Sequence, residues 1–155
     1  GLTNSFSYKG FELSALLVYS AGGKVLDNDI VSLLHNGNNP GRAWNEEILN
    51  RWTPENTITD VPALTTDNTN WTQTSTRFLY DASYLRLKNV TLNYNFPAQT
   101  AKKIGLNNLR VYVQADNLLT WSKHKGMDPE QTVGGTTYYR YPAMKVFSAG
   151  VNVNF

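Results

Sequence analysis

From Val146 to Phe155 the chain alternates apolar with small or polar side chains without a break. Phe147, Ala149, Val151, Val153 and Phe155 share one parity, and Ser148, Gly150, Asn152 and Asn154 share the other. Successive side chains of a β-strand point to opposite faces, so this stretch presents one apolar face and one hydrogen-bonding face. Such a strand is satisfied where hydrocarbon lies on one side and water on the other. A strand of a soluble sandwich alternates in the same way, so the pattern defines a half-wet strand before it defines an architecture.

No apolar run approaches the roughly 18 residues that a membrane-spanning helix requires, and the mean hydropathy is negative. Barrel strands pass through this test unseen, because only every second residue is apolar. The 155 residues begin in mid-strand, without Met or a targeting segment, and are read as a fragment or a processed C-terminal piece. Zero cysteines exclude a disulfide scaffold, a thiolate metal site and a cysteine nucleophile. A formal charge of +2, with no Lys/Arg-rich stretch interleaved with aromatics, argues against nucleic acid. The charge is unevenly spread: Ala21 to Ser83 holds four basic and eight acidic residues. That segment reads as a solvated acidic loop rather than a cation site.

Leu2 to Tyr8 reads as a strand, Lys9-Gly10 as a tight reversal, and Phe11 to Tyr19 as a second strand with Phe11, Leu13, Ala15, Leu17 and Tyr19 on one face. The next sixty or so residues lack comparable alternation. Asp27 or Asn28 is placed to cap a short helix through Ile30 to His35, which Asn36 to Gly41 would stop. A second short helix is expected from Ala43 to Trp52, followed by irregular loop from Thr53 to Thr76. Tyr84 to Phe96 is a third strand whose apolar parity changes near Lys88-Asn89, which predicts a bulge there. Pro97 to Asn108 reads as a compact turn with one helical turn around Thr100 to Ile104, closed by Gly105. In the fourth strand Leu109, Val111, Val113 and Ala115 face one way and Arg110, Tyr112, Gln114 and Asp116 the other, a face that needs water or a polar partner. A second long loop then runs from Ser122 to Lys145 before the final strand.

The connections are therefore short at one end (Lys9-Gly10; Pro97 to Asn108) and long at the other (Ala21 to Ser83; Ser122 to Lys145). Short turns opposite long loops are the pattern of an outer-membrane barrel. Phe6, Tyr8, Phe11, Tyr94, Phe96 and Phe155 gather at the short-turn end and Tyr19, Tyr80, Tyr84 and Trp121 at the other, as interfacial girdles would. The fold class expected is all-β: about five C-terminal strands of a transmembrane antiparallel barrel, with short helices in the external loops. Phe147, Ala149, Val151, Val153, Phe155, Leu109, Val111 and Val113 are expected to face lipid, and Arg110, Tyr112, Gln114, Asp116, Asn152 and Asn154 a hydrated lumen.

No catalytic constellation stands out. His35 and His124 are far apart, without metal-ligand spacing, and read as loop packing. Asp27-Asn28-Asp29 lacks the later glycine and glutamate of a calcium loop, so helix capping is preferred. Asp128 and Glu130 flank a proline in a turn, with no second carboxylate set for acid/base work. No Gly-x-Ser-x-Gly elbow or phosphate loop occurs. No enzyme, metal or cofactor is expected.

Asn50 to Asn56, Ser75 to Leu92 (STRFLYDASYLRLKNVTL), Leu109 to Trp121 (LRVYVQADNLLTW) and Tyr141 to Phe155 together resemble the C-terminal region of SusC/RagA-type TonB-dependent outer-membrane transporters, over essentially the whole chain. The resemblance implies a barrel of about 22 strands with a plugged lumen, of which residues 1–155 supply the last five. It places the plug, the TonB-interacting segment and the earlier strands outside this sequence. It further implies a SusD-like surface lipoprotein as a lid, outer-membrane lipid around the wall, and import of glycan or peptide oligomers in the cell outer membrane. Loop aromatics are then candidates for stacking on substrate or packing on the lid. Loop-core packing is the reading adopted for Trp44 and Trp52, while for Trp71, Tyr138 and Tyr139 the two roles stay open. The alternative is a soluble all-β carbohydrate-binding module with those aromatics as its platform.

Overall fold

The computed structural model describes residues 1–155 except 36, 38, 66–69 and 132–133. In chain order the elements are β1 (Leu2–Tyr8), β2 (Phe11–Ser20), β3 (Lys24–Asp27), α1 (Asn28–Leu33), β4 (Leu79–Asp81), β5 (Tyr84–Asn95), α2 (Ala98–Lys103), β6 (Asn108–Ser122), β7 (Thr136–Thr137) and β8 (Val146–Asn154). They divide into two compact units, the first Gly1–Gly22, Ala82–Pro129 and Pro142–Phe155, the second Gly23–Asp81 and Glu130–Tyr141.

The first unit is a five-stranded antiparallel sheet in the order β1-β2-β5-β6-β8, made of the five strands the alternation predicts. Lys9 and Gly10 adopt φ of 45° and 88° and pair Tyr8 directly with Phe11. Two consecutive positive φ values let a two-residue turn follow the right-handed twist of the strands it joins. The change of parity in β5 is a bulge as expected: Leu87 pairs with Leu17 and Asn89 with Leu16, so Lys88 is skipped. On the other side Leu87 pairs with Leu119 and Asn89 with Asp116, which leaves Asn117 and Leu118 outside the register. Asn117 takes φ 52°, a conformation asparagine tolerates better than most residues, and its side chain donates to the Met144 carbonyl at 3.1 Å.

This irregularity explains one difference from expectation. β6 runs past Asp116 to Ser122, because the left-handed residue shifts the phase of alternation without ending the strand. α2 ends as Gly105 predicts: the Gly105 N–H donates to the Lys102 carbonyl at 3.1 Å and the Leu106 N–H to the Ala101 carbonyl at 3.0 Å, with Gly105 at φ 78°. That pair of bonds is a Schellman cap.

The second unit corrects the expectation of irregular loop. β3 pairs with β4 antiparallel and with β7 parallel in a small three-stranded sheet. Strands of four, three and two residues are too short to show a period, and β7 arrives from a distant stretch of sequence. Val25, Leu34, Ile48, Val61 and Phe78 form its buried core. Asp27 caps α1 as anticipated, its Oδ1 accepting from the Asp29 and Ile30 N–H groups at 3.0 and 3.2 Å. The second expected helix is shorter, a 3₁₀ turn over Glu46–Asn50 capped by Asn45. Part of the Asn36 to Gly41 stop signal and of the loop to Thr76, together with part of the loop to Pro142, lies outside the described residues.

Candidate functional site

The sheet of the first unit has two chemically opposed faces, and register places each residue on one of them. Leu109, Val111, Val113 and Ala115 pair with Val153, Val151, Ala149 and Phe147, while Val111, Val113 and Ala115 pair on the other side with Tyr94, Leu92 and Val90. Those three are matched in turn by Phe11, Leu13 and Ala15, and Phe11 and Leu13 by Tyr8 and Phe6. One apolar face thus runs unbroken across all five strands. Phe147 is 70% exposed and Val151 60%.

The opposite face is polar and more enclosed. Arg110 lies over Asn93, donating from Nε at 3.2 Å and Nη2 at 2.7 Å to its Oδ1. Asp116 accepts from Asn89 at 2.7 Å and from Gln114 at 2.9 Å, and the Asn89 oxygen accepts from the Thr91 hydroxyl at 3.0 Å. Tyr112 lies across Gly150 on β8: a Cβ there would meet the ring at 2.5 Å. Asn152 and Asn154 sit on this face opposite Arg110 and Asn108. Asn93 is 4% exposed and Arg86 3%, whereas Ala101 is the one hydrophobic residue of this unit that is fully buried among the described residues. The sheet is inside-out relative to a water-soluble protein, whose sheets bury an apolar face.

Aromatic rows mark both ends of the apolar face. At the short-turn end Phe11 and Tyr94 stack with centroids 4.5 Å apart, and Tyr94 meets Phe96 edge-on at 4.7 Å. At the other end Tyr19 and Trp121 flank Leu85 in register. Phe11 and Tyr19 are eight residues apart on one strand, about 27 Å. Once the strand is tilted this fits the roughly 25 Å apolar band of an outer-membrane wall.

The second unit distributes the loop aromatics unequally. The Trp71 indole N–H donates to the Leu34 carbonyl at 2.8 Å and its ring lies 3.8 Å from the Arg77 guanidinium. Arg77 also donates to the Asp60 carbonyl at 2.7 Å and sits 3.5 Å from Glu47. Trp44 donates to Nδ1 of buried His35 at 3.0 Å, so both side chains serve loop packing. Trp44 and Trp52 nonetheless keep part of their rings at the surface. Tyr138 and Tyr139 are largely exposed. Tyr139 adopts φ 37°, its N–H held by Asp29 at 2.8 Å and its hydroxyl 3.2 Å from Ser32. An aromatic residue fixed in that strained region is presented rather than floppy. Burial raises the Tyr80 phenol above its ordinary pKa, reinforced by the carboxylates of Glu47 and Asp27.

Sequence reasoning missed one arrangement. Asp128, read only as a turn residue, pairs with Arg86 of β5, and both side chains are buried. A signal was present: Arg86 stands between Leu85 and Leu87, so its charge must fall on the polar face, where a buried cation requires a counter-charge. Which carboxylate meets it was not legible.

No family model matches the chain. It is 34% identical to TonB-dependent receptor P3 of Formosa agariphila and 32% identical to TonB-dependent receptor SusC of Bacteroides thetaiotaomicron, in each case along its full length. It spans only 16% and 15% of those proteins. A solved structure of the RagAB peptide transporter superposes with a TM-score of 0.83 at 36% identity, covering 96% of this chain and 16% of that one. The chain therefore belongs to the SusC/RagA family of TonB-dependent outer-membrane receptors, as C-terminal strands of the β-barrel.

Proposed function

We propose that residues 1–155 form the last five wall strands of an outer-membrane importer that takes up oligomeric nutrients, with a plug domain and the remaining strands contributed by the rest of a longer polypeptide. The observation that carries this reading is the inside-out sheet: an exposed apolar face bounded by aromatic rows, backed by a hydrogen-bonded polar face. The apolar face, with Phe147, Ala149, Val151, Val153, Leu109, Val111 and Val113, meets lipid, and Phe155 follows at its short-turn border. Arg110, Tyr112, Gln114, Asp116, Asn152 and Asn154 line a hydrated lumen. A soluble sugar-binding module would need a covered apolar face, and the sheet has none among the described residues.

In this reading the chain breaks no bond in its cargo, and its part is to be a rigid wall. In hydrocarbon each unpaired backbone group costs several kcal/mol, so the strands hold together through complete ladders. Energy for import comes through TonB, acting on the segment outside this chain. The loops carry Tyr138 and Tyr139 to the outer surface, where they contact a SusD-like lipoprotein or the cargo. Trp71, committed to Leu34 and Arg77, serves loop packing instead. The peptide transport named for RagAB favours peptides as cargo, with oligosaccharides as the competing class.

The test is a pair of adjacent substitutions in the intact transporter. Val151→Arg places a cation in lipid and is expected to destabilise the barrel by about 2–4 kcal/mol, whereas Asn152→Arg points into water and costs well under that. Denaturant unfolding in lipid vesicles reads the difference. Equal losses at both positions would reject the assignment of the faces.

A further inference from the structure

We propose that Arg86 and Asp128 form a clasp that draws the two limbs of the last long loop, residues 122–129 and 142–145, over the polar face of the sheet and so narrows the lumen beside them. The proposal rests on the barrel reading for the identity of the lumen. Its geometry stands within the first unit alone. The Arg86 side chain lies on the polar face, because Leu85 and Leu87 occupy the apolar one and Arg86 pairs with Thr120. Its Nε donates to the Thr120 hydroxyl at 3.0 Å and its Nη2 to Asp128 Oδ1.

The second carboxylate oxygen of Asp128 accepts the Ala143 backbone N–H at 2.8 Å. Ala143 belongs to the limb returning to β8, and Asp128 to the limb leaving β6. One carboxylate therefore ties both limbs to each other and to the middle strand of the sheet. The limbs are thereby drawn over the polar face instead of standing away from it. Between them and the sheet is a cleft of about 260 Å³ lined by Arg86, Thr120, Ser122, His124, Met127 and Pro142 among others.

Burial gives the clasp its stiffness. The side chains of Arg86 and Asp128 are 3% and 2% exposed, and a charge enclosed to that degree is held to its counter-charge far more firmly than a surface pair. Removing the Asp128 charge takes a counter-charge away from a buried guanidinium, and lifting of the limbs to admit water relieves that loss. Lys123 and Lys125 on the outgoing limb are natural trypsin sites that report this lifting.

The experiment uses the complete protein in its outer membrane, with Asp128→Asn and, as a polar-face control, Thr91→Ser, which keeps the hydroxyl that donates to Asn89. Asp128→Asn is expected to raise tryptic cleavage at Lys123 and Lys125 roughly tenfold, as a local opening would, with the control unchanged. It is also expected to speed attachment of a polyethylene-glycol maleimide, relative to a small maleimide, at Ser148→Cys on the polar face. Unchanged cleavage, or faster cleavage without easier entry of the bulky reagent, overturns the clasp. In the unsubstituted protein the Ala143 amide should resist hydrogen exchange, and rapid exchange there overturns the clasp even where Asp128→Asn fails to assemble. Resistance of the unheated protein to SDS unfolding is followed in parallel, and its absence in the unsubstituted protein counts against the barrel reading rather than the clasp.

Discussion

One side chain and one hydrogen atom decide how closely β8 lies against β6. Gly150 stands opposite Tyr112, and the phenol ring occupies the space that any Cβ at residue 150 would need, at 2.5 Å. Gly150→Val forces the ring off its rotamer or the strands apart. Overpacking of that kind costs about 1–3 kcal/mol. Denaturant unfolding of the full-length protein is expected to show this loss, and Tyr112→Ser in the same chain to recover most of it. A valine accepted without loss means that the ring swings away freely.

Tyr80 tests the loop unit at the same scale. Its pKa is raised first by burial and then by Glu47 and Asp27, so the folded unit keeps the phenol protonated where an unfolded chain loses the proton. Stability from this group is present below pH 10 and drains away as the pH rises through the raised value. Tyr80→Phe removes the drain. Proteolysis of the 23–81 segment as a function of pH is expected to accelerate above pH 10 in the parent and less so in the phenylalanine variant.

At the level of elements, what the sequence disclosed tracks where each element buries its side chains. The strands β1, β2, β5 and β8 were legible to within about a residue because one face is apolar at every second position, from Phe11 to Tyr19 as from Phe147 to Val153. The two-residue turn was legible because Lys9-Gly10 offers a residue that takes positive φ freely. The polar–apolar partition of Leu109 to Asp116 was legible for the same reason. β3, β4 and β7 were not, since they are runs of four, three and two residues joined only by tertiary pairing. The Arg86 and Asp128 pair escaped for a related reason: 42 positions separate the two, and no local period links them. The hairpin gives the element-scale prediction. At Gly10 a side chain would meet the Asn95 carbonyl at 2.7 Å in a backbone region that disfavours it. Gly10→Val is expected to slow assembly of the full barrel and to cost about 1–2 kcal/mol, read as a smaller folded fraction in unheated electrophoresis.

For the whole molecule, the deciding fact is that the sheet ends in two strands, β1 and β8, that pair on one side only among the described residues. β8 offers nine residues of strand and β1 seven, each with half its backbone groups directed outward. Water can satisfy such edges, yet it cannot also accommodate Phe6, Tyr8, Phe147 and Val151 on the adjoining apolar face. Lipid accommodates the face and leaves the edges unsatisfied, at several kcal/mol for each group. Only a closed ring meets both demands, and membrane barrels close with no fewer than about eight strands. Residues 1–155 produced alone are accordingly expected to aggregate without detergent. In detergent they should give no species that resists SDS unfolding until heated, whereas the full-length protein is expected to give one. Analytical sedimentation and unheated electrophoresis decide the matter. A monomer in plain buffer with a cooperative melt would mean that the apolar face is covered from within, and the assignment of that face to lipid would be lost with it.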